Sequence, residues 1–242
     1  MKLHIVSPFI AAGVSLFAVV GYSQTTITSV PTTISTPGKY VLKSDLTLNG
    51  GSTAITVTAS DVTINLEGFT LVDGSVPNQH TGISADGVDN LVIENGTISQ
   101  FQGGGGIIIS SGSGHLLQNL EVDSWGNSGV TLTGCNNCVI AGCKVTKNFL
   151  TRSSSSWGIK ISRGTGNRVS NTSVSSYLSG GGGGAVGTGI LSKDGENYFD
   201  TDYIASCITG IEMSNKDKYR AITTSNCITG IVGGIDVDDV SN

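Results

Sequence analysis

Two nearly identical hexapeptides, Ser206-Cys207-Ile208-Thr209-Gly210-Ile211 and Asn226-Cys227-Ile228-Thr229-Gly230-Ile231, lie twenty residues apart near the end of the chain. A unit this short cannot close a core by itself and must stack on its neighbours, so the period constrains the fold before any other feature does. With Gly-Ile as the ruler, the same mark recurs upstream as Gly82-Ile83, Gly106-Ile107, Gly129-Val130, Gly158-Ile159 and Gly189-Ile190, with Ala54-Ile55 as an earlier member. Between the Gly-containing marks, the intervals run from 20 to 31 residues.

A second column accompanies the first. Thirteen residues after each Gly stand Asn95, Asn119, Gly142, Asn171, Asp202 and Thr223. Asn and Gly, and to a lesser degree Asp, tolerate the left-handed backbone of a sharp corner. The spacing predicts a constant distance from the start of one strand to one bend, with Asn95, Asn119, Gly142, Asn171 and Asp202 as structural corner residues. Length variation is then expected after that bend, in residues 72–80, 148–156 and 176–188.

Period-2 alternation sends Ile83, Ile107, Val130, Ile159, Ile190 and Ile211 to one side of a strand, and Ser84, Ile108, Thr131, Lys160, Leu191 and Glu212 to the other. Each unit gives three short runs of this kind, each with a thin apolar face. Stacked in parallel over roughly eight turns, they enclose a continuous core, which defines an all-β parallel β-helix, a solenoid. The 35 glycines, the 13% content of charged residues and the absence of a long 3.6-residue period agree with this. Residues 40–242 form this domain, and residues 24–39, broken by Pro31, Pro37 and Gly38, read as an extended N-terminal cap.

Residues 1–23 read as a secretory signal peptide: a basic start, a dozen apolar residues and the small residues Gly21 and Ser23 before the cleavage point. The apolar run is shorter than the ~20 residues a span requires, so no membrane span is expected after cleavage. The protein is therefore expected to be secreted, at the cell surface or periplasmic. A net charge of -5 without a Lys/Arg run excludes a general nucleic-acid binder. Five cysteines leave at least one thiol unpaired within the monomer. Cys207 and Cys227 occupy one place in adjacent units, either as stacked small hydrophobes or as a disulfide between neighbouring rungs. Cys135, Cys138 and Cys143 lack the convergent fourth ligand of a zinc site.

The Gly-Ile unit, its bend, the Asn-Val-type second strand and the Asn or Gly corner resemble the right-handed parallel β-helix repeat of pectate lyases, polygalacturonases and NosD-type proteins. The segments Pro37-Gly38-x-Tyr40-x-Leu42 and Val62-Thr63-Ile64-Asn65-Leu66-x-Gly68 are similar to the opening of uncharacterised secreted members. The resemblance implies a groove on the outer face of the first strand column. On that face it makes Lys160 or Arg163 the candidate base of a β-elimination, with Asp194 and Glu212 as candidate calcium ligands or as a hydrolase carboxylate pair. Trp157, Lys160 and Lys193 are the candidate saccharide contacts. The His-containing signatures of those enzymes are missing, and His115 is expected at a corner, where other turns place Asn90, Asn137 and Asn167.

These observations favour a non-catalytic polysaccharide-binding or cell-surface module. A lyase or hydrolase and a structural or adhesive solenoid are the alternatives. No cofactor is expected apart from the candidate calcium ion. The uncapped C-terminal end is a candidate surface for self-association. Phe101, Trp125, Phe149 and Tyr177 recur nineteen or twenty residues after the Gly and are expected to stack inside, and the glycines of residues 180–184 suggest a loop or lid.

Overall fold

The computed structural model describes residues 23–75, 80–123, 126–147, 156–176 and 187–238. Residues 1–22 of the expected signal peptide, Trp125, Phe149, Tyr177 and the glycine run at 180–184 lie outside the described residues. Among those described there is no helix, hence none long and apolar enough to cross a membrane. Every strand pairing is parallel, and the strands wind as a right-handed β-helix with three columns per rung.

The first column is a nine-stranded sheet: Thr32–Ile34, Thr53–Val57, Thr81–Asp86, Gly105–Ser110, Ser128–Thr133, Trp157–Ser162, Thr188–Lys193, Thr209–Glu212 and Thr229–Val232. Its register aligns Ile55, Ile83, Ile107, Val130, Ile159, Ile190, Ile211 and Ile231, so the ruler read from sequence is one physical stack. All but Ile231 are fully buried. The second and third columns add the stacks Ile64–Ile93–Leu117–Ile140–Val169–Phe199 and Leu71–Ile98–Val122–Val145–Val174–Ile204. Val92–Ser99 and Leu116–Asp123 run straight through the bend and join these two columns into one sheet. Gln24–Ile27 and Thr32–Ile34, within the proposed cap, pair in register with Lys39–Leu42 and Ile55–Val57. Phe101 is inside, as its column predicts.

The reason for glycine before each Ile is close approach. A Cβ on Gly82, Gly106, Gly158, Gly189 or Gly210 would stand 2.5–2.8 Å from the carbonyl oxygen of the aligned glycine on the next rung. On Gly158 it would also meet Val174 Cγ1 at 2.3 Å, where the first column turns in against the third. We expect Gly158→Ala to lower unfolding stability by about 1–3 kcal/mol in urea titrations. A neutral result would show that the rungs separate there without cost.

The corners need another solution, because the strand ladder breaks there while backbone N–H groups stay buried. Left-handed residues turn the chain, and buried polar side chains of the following rung accept the N–H groups left over. Leu91 N–H donates to His115 Nδ1 at 3.2 Å, Cys138 N–H to Asn167 Oδ1 at 3.0 Å, Asn167 N–H to Asn197 Oδ1 at 3.0 Å and Asn197 N–H to Asp217 Oδ1 at 2.8 Å. Burial lowers the His115 pKa, which keeps the ring neutral and Nδ1 free to accept. His115 thus shares its column with Asn167, as expected, while Asn90 and Asn137 are left-handed residues one position earlier. At the next corner Cys143 N–H donates to Thr172 Oγ1 at 3.4 Å, and Thr172 N–H to Asp202 Oδ1 at 2.8 Å.

Asn95, Asn119, Gly142 and Asn171 all have positive φ. Asp202 does not, which corrects its placement in that column. The left-handed residues of the last two such corners are Thr201 and Ala221, twelve and eleven residues after Gly189 and Gly210. The chain shortens at the earlier bend, so length variation is not confined to the segment after the second one. Asp202 instead points inward and is 1% exposed. Desolvation raises its pKa to about 7, and its Oδ2 is buried without a partner. A folded-state pKa above the unfolded value means that stability is complete below about pH 4 and is lost as the pH rises through about 7. Asp202→Asn keeps the acceptor for Thr172 and cannot ionise. Its thermal stability should equal the parent's at about pH 4 and exceed it at about pH 8, by on the order of 2 kcal/mol. A difference independent of pH would overturn this account.

All five cysteines are free thiols, so the disulfide reading of Cys207 and Cys227 is not realised. Cys207 Sγ donates to Ala205 O at 3.3 Å, and burial pushes its pKa up to about 12, as for a small core side chain. At the C-terminal rung Ile228, Ile231, Val232 and Ile235 are exposed.

Candidate functional site

Beside its inward stack the first column carries two further rows, in which Ser128 and Leu191 are buried. One runs Ser128, Trp157, Thr188, Thr209 and Thr229, and the other Thr131, Lys160, Leu191 and Glu212, each step being one rung. The two rows meet above the sheet. Ser128 Oγ and Thr131 Oγ1 are 2.6 Å apart, and on the next rung Lys160 Nζ stands 4.4 Å from the centroid of the Trp157 ring. Trp157 and Lys160 are both half-exposed, so this is a cation–π contact at the surface, held on a strand whose other face is packed in the core. Two of the three expected saccharide contacts are therefore adjacent. The third, Lys193, is exposed at the end of the following strand and aligned with Ser162.

The residues considered for catalysis do not converge. Arg163 and Asp194 have φ of 56° and 62° and belong to a left-handed corner column that also contains Gly87, Ser111 and Gly134. Arg163 N–H donates to Lys193 O at 3.3 Å. The corner takes both side chains off the outer face of the sheet, where sequence reasoning had set them. Glu212 lies two rungs from Lys160 with buried Leu191 between them, and it is in a different column from Asp194. Asp194 and Glu212 thus form neither a facing carboxylate pair nor the oxygen cage a calcium ion takes. Among the described residues no three His, Cys, Asp or Glu side chains gather to hold a metal.

A second cluster was missed by the sequence reading. On the outer face of the second column, Arg168, Tyr198, Lys218 and Ile235 are aligned rung by rung, with Ser170, Asp200 and Arg220 beside them. Asp200 is 4% exposed and receives Arg220 Nε at 3.1 Å and Nη2 at 2.8 Å, together with Arg168 Nη2 and Thr201 Oγ1. The Arg220 hydrogen bonds are the main cause that holds the Asp200 carboxyl below the usual carboxylate range. The Arg168 guanidinium lies 5.2 Å from the Tyr198 ring centroid. Next to this face, a cleft of about 450 Å³ opens between Asn197, Tyr198, Asn215, Lys216, Lys218 and Ile235. A neighbouring hollow of about 380 Å³ takes in Asp194, Gly195 and Ser214. Period-2 alternation applied to the second strand of each turn would have brought these outward residues to notice. Two buried polar groups gave no such signal. His80 Nδ1 lies 3.0 Å from Asp73 Oδ2, and Lys147, 1% exposed, donates to Gly126 O at 3.0 Å with its pKa lowered to about 8 by desolvation.

With this geometry in hand, the comparisons agree on the architecture. Residues 41–218 match the family described as the right handed beta helix region, and the chain belongs to that family. Among solved structures it is similar to the Dettilon tailspike protein, at 16% identity and a TM-score of 0.62, covering 82% of this chain and 42% of the tailspike. It is also similar to a mutant of the periplasmic alginate epimerase AlgG, at 14% identity and a TM-score of 0.52, covering 78% of this chain and 55% of the epimerase. Identities this low establish the fold, and the chain spans about half the length of these structures. No functionally curated protein matches the sequence.

Proposed function

We propose that this is an exported, non-catalytic β-helix module that binds polysaccharide through the outer face of its first strand column. The observation that carries the reading is the Trp157–Lys160 pair, half-exposed on a rigid strand with the half-exposed Thr131 and Thr188 on the neighbouring rungs. An aromatic ring offers an apolar platform to the C–H face of a sugar, while hydroxyls and an ammonium address its oxygens. Successive rungs repeat about every 4.8 Å, a spacing suited to a chain ligand that presents similar groups at short, regular intervals. The scattered placement of Arg163, Asp194 and Glu212 supports binding over turnover. The apolar N-terminal stretch supports export, and the similarity to a tailspike and to a periplasmic alginate epimerase is compatible with both parts of the reading.

The test is titration of the mature protein against neutral and acidic polysaccharides, read by calorimetry and by tryptophan emission. We expect Trp157→Ala to weaken the best ligand by about 1–2 kcal/mol, or roughly tenfold or more, and Lys160→Ala to weaken it less. Thermal unfolding should change little, because both side chains lie outside the core. Binding that survives Trp157→Ala intact would remove this face as the site. No binding across a broad panel would remove the function.

A further inference from the structure

We propose that the cleft beside Tyr198 is a second binding site, specific for a saccharide that carries an oxyanion, either sulfate or carboxylate. It lies on the second column, around a corner from Trp157, and its argument is independent of that face.

The argument begins with what the cleft can offer. Its floor is made by Asn167 and Asn197, 0% and 2% exposed. Both are spent on the corner ladder: Asn167 Nδ2 donates to Cys135 O at 2.9 Å and to Asn197 Oδ1 at 3.0 Å, and Asn197 Nδ2 donates to Ser192 Oγ at 3.1 Å. The floor is rigid and has little left for a ligand. Recognition therefore falls to the rim, where Tyr198, Asn215, Lys216 and Lys218 converge with Glu196.

The rim and the face beside it gather four cations, with Glu196, Asp200 and Asp238 as acids near them. Arg168, Lys216, Lys218 and Arg220 lie within neighbouring rungs around the Tyr198 ring, in a chain whose net charge is -5. Asp200 is enclosed by Arg168 and Arg220 and leaves that trio with a net positive charge. Lys216 pairs with Glu196 at 3.8 Å between largely exposed side chains, a contact that a ligand displaces at small cost. Lys218 is exposed and has no acidic partner among the described residues. An ammonium at the mouth of a cleft next to an aromatic ring addresses a ring with an anionic substituent, the ring against Tyr198 and the anion at Lys218.

The cleft is also built to persist. Asp217, fully buried, receives Asn197 N–H on Oδ1 at 2.8 Å and Ser214 N–H on Oδ2 at 2.8 Å, and Ser214 Oγ donates to Gly195 O at 2.8 Å. These bonds tie the corner that carries Asn215 and Lys216 to the rung beneath it. The cleft is thus preformed, and little ordering cost attends binding.

The experiment uses the mature protein with four probes: a heparin-derived hexasaccharide, a desulfated counterpart, a hexagalacturonate and its methyl ester. Calorimetry at low and high salt should show one or both anionic probes binding and their uncharged counterparts weaker by at least about tenfold. Which anionic probe binds identifies the source of the oxyanion. Lys216→Ala/Lys218→Ala should abolish that preference with thermal unfolding unchanged, while Trp157→Ala leaves it intact. Loss on Trp157→Ala alone would assign the anion to the first-column face and overturn this proposal. So would equal binding of charged and uncharged probes, or the absence of anion binding while neutral glycans still bind at Trp157.

Discussion

The rest of the molecule depends on how each rung disposes of backbone polar groups where it bends. Along the strands the answer is automatic, because parallel neighbours exchange N–H and C=O in register. At the bends the ladder fails, and a buried N–H without an acceptor costs about 1–3 kcal/mol. This chain places an acceptor side chain on the following rung: His115, Asn167, Asn197 and Asp217 at one corner, Thr172 and Asp202 at the next. Three chemically different side chains serve one column because the requirement is only for an acceptor of suitable reach. Asp202 shows the cost of that tolerance, since one of its oxygens accepts the Thr172 N–H while the other stays buried and unpartnered.

The same constraint locates the cleft beside Tyr198. In four turns the left-handed residue that closes the second strand stands thirteen positions after the Gly of the first column. The last two shorten to twelve and eleven, and the missing residues come from the bend between first and second strands. Glu196, Asn197, Asn215 and Lys216 occupy those shortened bends, and they line the cleft. A change in corner length is tolerated because the buried acceptors Asn197 and Asp217 hold the stack in register across it. What varies is the outline of the surface above them, and that is where the cleft opens.

This division explains what was legible in the sequence. The fold was legible because it rests on repeated demands: glycine where two rungs approach within a Cβ of each other, aliphatics on the inner face, and Asn or Gly at a left-handed bend. Four members of the corner column answered to their spacing. Asp202 did not, because counting residues assumes equal bends and this bend is one residue shorter. The site was less legible for a related reason. Lys160 could be set on the outer face by alternation within its strand, whereas alternation alone sends Trp157 to the side of the buried Ile159 and Ile161, so its contact with Lys160 emerges only from the structure. Arg163 and Asp194 were grouped with that face because they are charged and lie close to Lys160 and Lys193 in sequence, but both fall past the strand end at a left-handed corner. Arg168, Tyr198, Lys218 and Arg220 were overlooked because they come together across rungs twenty to thirty residues apart, in a column with no Gly-Ile mark.

A solenoid built in this way keeps its binding chemistry apart from its folding chemistry more fully than a globular domain does. Inward positions form three continuous stacks, the corners carry the polar ladders, and outward side chains contribute little to either. Trp157 illustrates the separation: its strand is fixed by Ile159 and Ile161, both buried, while its own ring reaches the surface. Tyr198 does the same above buried Phe199. Because each rung contacts chiefly its neighbours, an outward substitution perturbs at most the adjoining rungs. Two faces of one stack can therefore carry different recognition chemistry without either disturbing the core they share.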